Sequence, residues 1–255
     1  IVIVYNMVFY QAGSFSLMLF SFVVAVLLFY FFLYFSKNKL SALCFSYVNM
    51  AWLGFPFAIA LFGTKISPAM VALYIGGSIF GNLWAVTAVS QTPLAFSFIL
   101  KKVLCAPPMI ALILALILRS VGVQHWSQHD LIDVIYSAAK FCMSFSGMCV
   151  LGMWLRHTKV EKADLWQSSQ TALLKLACGV VLCGLSYRYF AIPNIEQYIG
   201  VMFLLFCLPP AANIVALETH YQGTGMSAKY IASGTIISCV VVSIYGLLLH
   251  VFAVI

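Results

Sequence analysis

Inside two stretches apolar enough to lie in a bilayer, prolines stand close to asparagines. One reads "NMAWLGFPFAIALFG", with Asn49 and Pro56, and the other reads "FCLPPAANIV", with Pro209, Pro210 and Asn213. An interior proline lacks the N–H and clashes with the preceding turn, at a cost of about 3 kcal/mol to a helix. The prolines are therefore expected to free the carbonyls of Leu205 and Phe206 in one segment and of Trp52 in the other. In hydrocarbon, such broken backbone is tolerated only inside protein or beside a water-filled cavity. Past each break a new helix starts, with unpaired N–H groups and a positive dipole end, which together make an anion site. The amide of Asn213, in the first turn after Pro210, can donate to a carboxylate. Asn49 can line the same cavity, and the plainer role for both asparagines is to satisfy broken backbone. The chemistry is binding rather than bond making.

Three further groups are candidates. Asp133, Ser137, Lys140, Ser144 and Gly147 share one helical face, and Lys140 lies about 13 Å from the outer end of its span at 1.5 Å per residue. It could attract an anion or exchange a proton, or else snorkel outward or satisfy a structural carbonyl. Lys175 lies at similar depth from the other side, with packing or snorkelling as its default role. Gly77 and Gly81 have a spacing that permits close helix approach, and Asn82 beside them can add an amide to the cavity. The six acids, Asp130, Asp133, Glu161, Asp164, Glu196 and Glu218, fall at or near span ends. A cation site would then rest on backbone carbonyls alone, which disfavours obligatory sodium coupling. The sequence holds no P-loop, no H-E-x-x-H and no G-x-S-x-G, so neither ATP-driven transport nor hydrolysis has support. His125, His129, His157, His220 and His250 do not converge at metal spacing. No enzyme activity, metal or cofactor is expected.

The elements that must position these groups follow from composition. Of the 255 residues, 64% are hydrophobic and 7% charged, against about 25% charged in a soluble domain. The basic residues that give the net charge of +7 are scattered singly, as topology signals rather than a nucleic-acid patch. The eight cysteines all sit in apolar segments without C-x-x-C spacing and are expected as buried free thiols. Nine apolar runs can be marked: Ile1 to about Gln11, Ser14 to Ser36, Leu40 to Gly63, Pro68 to Gln91, about Val103 to Arg119, Leu131 to Leu155, Trp166 to Phe190, Ile195 to Glu218, and Ser227 to the end. The first is half a span, and no signal-peptide pattern precedes it.

Lys37, Lys39, Lys101, Lys102, Arg156, Lys159, Lys162 and Lys229 fall in loops on one side, and Lys65, Arg119 and Arg188 on the other. By the positive-inside rule the first set is cytoplasmic, in a multi-pass protein of the cell (inner) membrane. Five spans separate the two proline-broken segments, so these run in opposite directions. Interrupted segments at corresponding positions of two halves point to a transporter's midplane site.

The run "YVNMAWLGFPFAIALFG" resembles the fourth helix of the auxin efflux carrier family, which includes bacterial malonate and other organic-acid permeases. "LPPAANIVALETHYQG" resembles its ninth helix, and "LYIGGSIFGNLWAVTAV" and "GMCVLGMWL" sit where the family has similar segments. The resemblance implies ten helices in two inverted sets of five, a fold shared with bile acid:sodium symporters. The broken helices would cross at Pro56 and at Pro209 or Pro210, with Asn49 and Asn213 beside the crossing. The chain departs from the family at Cys178 and Gly179, where the eighth helix usually has a proline, and in lacking a proline before "LGMWL".

The expected fold is thus an all-α polytopic membrane protein of inverted five-helix repeats with two crossing broken helices. It forms one transmembrane domain over 1–255, with an incomplete first repeat at 1–91 and the second at 103–255. The first helix is expected to lie before Ile1, about 40 to 50 residues being needed for it and the rest of the half-span. The expected function is secondary transport of small organic anions such as dicarboxylates. The partners are that anion and the lipid bilayer, with no nucleic acid. Proton or sodium coupling and a homodimer stay open. The alternatives are a sodium-coupled symporter of the bile-acid type and a non-transporting sensor or structural protein.

Overall fold

Ser14–Ser36 forms a helix with two apolar faces of different destinations (α2). Leu17, Phe20, Val24 and Leu28 are buried, while Phe15, Leu19, Val23, Leu27 and Tyr34 stand exposed at the same helical spacing. A helix apolar all round is a core or membrane helix, and here one face meets protein and the other is left for lipid. The computed structural model describes residues 1–8, 14–89, 97, 101, 104–122, 130–156, 158–190, 192–222 and 226–251. Before α2 stands Val2–Val8 (α1); the expectation for 9–11 lies outside the described residues.

The third apolar run is broken, as expected, but not at Pro56. Lys39–Ser46 (α3) is capped by Asn38, whose Oδ1 accepts from the amides of Leu40 and Ser41. It ends at Tyr47, in extended conformation. The chain restarts as a wide turn over Met50–Gly54, in which the Gly54 amide donates to Asn49 O and that of Phe55 to Met50 O. Phe55–Phe62 (α4) follows and stops at Gly63, whose φ of 77° favours glycine. Pro56 therefore lies in the first turn of α4. The helical backbone runs through Gly54 without a cap, so Pro56 stands where the wide turn passes into α4, and the wide turn before it accommodates the missing N–H.

Ser67–Phe80 (α5) starts with Pro68 in its first turn and continues through a wide turn at Gly81–Ala85 into Val86–Val89 (α6). It packs along α2. Among the glycines expected to allow this approach, Gly77 and Gly81 do something else. The backbone contact is at Gly76, where an added Cβ would lie 2.1 Å from Met18 O of α2. A Cβ at Gly77 would meet the Met50 side chain, and one at Gly81 would lie 2.2 Å from the Tyr47 ring. Both make room for side chains of the broken segment.

The second half comprises Pro107–Ser120 (α7), Asp130–Arg156 (α8), Lys162–Tyr189 (α9), Ile195–Cys207 (α10), Asn213–Gln222 (α11) and Ser227–Val251 (α12). α8 and α9 each run as one continuous helix. α9 packs on α10 and α12. Lys229, at the start of α12, lies 3.7 Å from Glu161 and 3.9 Å from Asp164 at the start of α9, so the two loops expected on one side do meet. Glu218 is fully buried and accepts from the amides of Met226 and Ser227 and from the Ser227 hydroxyl, fixing the entry to α12.

The architecture is all-α among the described residues, with four helical stretches long and apolar enough to cross a membrane: Ser14–Ser36, Thr64–Ala85, Lys162–Tyr189 and Ser227–Val251. The cysteines are free, but only Cys44, Cys183 and Cys207 are buried; Cys105, Cys142, Cys149 and Cys239 are exposed. The expectation of burial fails for these four because the outer faces of the helices are as apolar as the inner ones.

Candidate functional site: a hydrogen-bonded crossing of two broken helices

Where α3 and α10 end, the two broken segments meet and pair. The Asn49 amide donates to Pro209 O at 2.9 Å and the Ala211 amide to Tyr47 O at 2.9 Å, making an isolated antiparallel bridge between Val48 and Pro210. Extended backbone cannot satisfy itself as a helix does, so each broken segment supplies the other's missing partners. The antiparallel sense agrees with segments that traverse the protein in opposite directions.

Two further carbonyls of the second break are taken by neighbouring helices. The Leu208 amide reaches back to Leu205 O at 3.4 Å, a tightened last turn. Leu205 O, expected free, is thereby taken, whereas Phe206 O faces two prolines that have no N–H to give it. Cys207 O accepts from the Ser238 hydroxyl of α12, and Leu208 O from Lys175 Nζ of α9 at 3.0 Å. The crossing is consequently braced from behind by two helices.

In front lies a cavity of about 120 Å³, lined by Tyr47, Asn49, Trp52, Tyr74, Ser78 and Asn213 among others. The first residue of α11, Asn213, donates from Nδ2 to the Tyr47 hydroxyl at 3.1 Å. On the opposite segment, Asn49 Oδ1 accepts from the Trp52 amide at 3.3 Å, capping the restarted helix. Asn49 is 5% exposed, and its Nδ2 has no hydrogen-bond partner among the described residues. A buried amide donor without an acceptor costs about 1–3 kcal/mol. Asn49 lines the polar cavity, but in this conformation its Nδ2 is shielded from it.

Of the residues singled out from sequence, the structure brings Asn49 and Asn213 into this cavity and puts Pro209 and Pro210 in the crossing itself. Pro209 and Pro210 also line a second cavity behind it, of about 150 Å³, with Lys175, Cys44, Phe45, Thr171 and Ser238. Pro56 stands back from the crossing in α4. Asn82 spends its amide on Ser78 O at 2.8 Å, one turn back on its own helix. Lys140 is elsewhere: with Lys65, Asn6, Tyr136 and Gln197 it lines a separate cavity of about 740 Å³, its Nζ 5.2 Å from the Tyr136 ring centre. No residue lining that cavity lines the crossing cavity.

Sequence reasoning passed over Tyr47 and underrated Lys175. The signal for the first break was the asparagine rather than the proline, since Asn49 ahead of an apolar run is an N-cap pattern. Nothing in the sequence pairs Lys175 with Leu208, because that contact joins helices 33 residues apart. No family model, curated protein or solved structure matches the chain.

Proposed function

We propose that the protein is a secondary transporter of small organic anions, with the crossing as its substrate site. The observation that carries this reading is that Asn49 and Asn213, one from each broken segment, line the cavity in front of the crossing, with the Asn49 Nδ2 unpartnered though shielded in this conformation. A carboxylate oxygen is its natural acceptor. Asn213 faces the same cavity from the start of α11, where the positive end of that helix favours negative charge. The resemblance of both broken segments to those of the auxin efflux carrier family supports the same substrate class.

An inverted repeat is supported by the packing. α2 packs on α3 and α5, and α9 packs on α10 and α12, so each broken helix has equivalent neighbours if the halves are related by a two-fold axis in the membrane plane. Rocking one set of helices against the other around the crossing would expose the cavity alternately to each side. The multi-pass arrangement in a cytoplasmic membrane, with the lysine-rich loops inside, belongs to the same proposal. A volume of about 120 Å³ favours a small acid over a steroid-sized one, since drug-sized ligands occupy about 300–1,000 Å³.

The test is counterflow of labelled malonate in proteoliposomes, with sodium and with a proton gradient each present or absent. Exchange of label between malonate pools supports a carrier. Binding without flux would identify a sensor, and flux only with sodium would favour the bile-acid type of symport.

A further inference from the structure

Lys175 is 4% exposed, near the middle of α9, and no carboxylate pairs with it among the described residues. A buried ammonium without a counterion is costly unless other groups replace its hydration. Three features do so here. Nζ donates to Leu208 O at 3.0 Å and lies 5.8 Å from the Phe45 ring centre, within the reach of a cation–π contact. It also faces the end of α10, whose last carbonyls carry the negative end of the helix dipole. The cavity of about 150 Å³ on this side offers its remaining N–H groups further polar surroundings.

A half-helix C-terminus with unwound carbonyls is where transporters of this general build hold a free cation. In this chain those carbonyls are already engaged: Cys207 O by Ser238, Leu208 O by Lys175, and Pro209 O by the Asn49 amide. We propose that the Lys175 ammonium is the built-in occupant of a small-cation site behind the crossing, and that cutting the side chain back opens the site to a free primary ammonium or alkali ion. This deepens the transport reading by naming what holds the cation position at the break. The crossing then carries a fixed positive charge behind the anion cavity, and the native protein has no use for an alkali ion there.

The experiment follows thermal unfolding of the purified protein in detergent, so it reads the site whether or not organic anions are carried. Lys175→Ala should lower the midpoint by roughly 2 to 10 °C, as expected for an unpartnered buried carbonyl and lost packing in a chain of this size. Methylammonium chloride should restore at least half of that loss, while choline chloride, which is larger and has no N–H, should restore none. Sodium chloride at matched ionic strength separates an alkali-ion site from an ammonium-selective one, either of which fits the proposal. Equal effects of methylammonium on the variant and the parent, or equal rescue by choline, would overturn it. Should Lys175→Ala not survive purification, the parent decides: sodium-specific stabilisation of the parent over choline would show that its break still binds an alkali ion and would refute the assignment.

Discussion

Replacing Asn49 by alanine should separate binding from stability. The side chain has two opposed effects in the unliganded protein. Its Oδ1 caps the restarted helix at Trp52 through a long hydrogen bond of 3.3 Å, and loss of an asparagine cap costs about 0.5–2 kcal/mol. Its Nδ2 is buried without a partner, a burden of about 1–3 kcal/mol that the substitution removes. The two nearly cancel, so the unfolding midpoint should move by no more than a few degrees. Binding has no such cancellation. A hydrogen bond to a charged acceptor contributes about 1.5–3 kcal/mol, which is a rise in Kd of about 10- to 150-fold. Malonate affinity, read from substrate-induced thermal shift and from the concentration dependence of counterflow, gives the first quantity, and melting without substrate gives the second. Asn49→Asp sharpens the test, because it keeps the capping acceptor while setting a negative charge against the anion; at about 4 Å and an effective dielectric of 20 that repulsion is about 4 kcal/mol. A variant that loses about 2 kcal/mol of stability and binds malonate as the parent does would refute the reasoning and make Asn49 a cap alone.

Gly81→Ala would set a methyl group 2.2 Å from the Tyr47 ring, which should displace the hydroxyl that receives Asn213, cost about 1–3 kcal/mol of stability and lower counterflow. Gly184→Ala, which meets nothing within 4 Å, should be neutral or stabilising by about 0.5–1 kcal/mol in the same melts. Pro209→Ala or Pro210→Ala alone should be partly tolerated, whereas both together should let α10 continue and abolish counterflow with membrane insertion intact; retained flux in the double variant would show that the break does not depend on the prolines. Lys140→Met should leave malonate Kd within about twofold, because Lys140 lines a separate cavity and not the crossing, and should instead weaken the salt dependence of uptake rate. A large loss of affinity in that variant would place the substrate outside the crossing.

The sequence by itself determined that this is a chain of apolar helices, that two of them are interrupted, and that asparagines stand at the interruptions. These are local properties: hydropathy over a span, the missing N–H of proline, and the polarity of single residues need no knowledge of neighbours. Local reasoning mistook Pro56 for the break, because the effect of a proline on a helix depends on the backbone that precedes it. Tertiary structure decided everything that rests on a partner far along the chain. It put the first break at Tyr47–Asn49, where Pro209 and Ala211 supply the missing backbone bonds. It gave Lys175 to Leu208 and Lys140 to a different cavity, although sequence places both lysines at similar depth. It also divided the cysteines between core and lipid-facing surface, which composition cannot do in a membrane chain. A one-dimensional pattern records depth and polarity, whereas the direction a side chain faces and the carbonyl it meets are set by the packing of helices against one another.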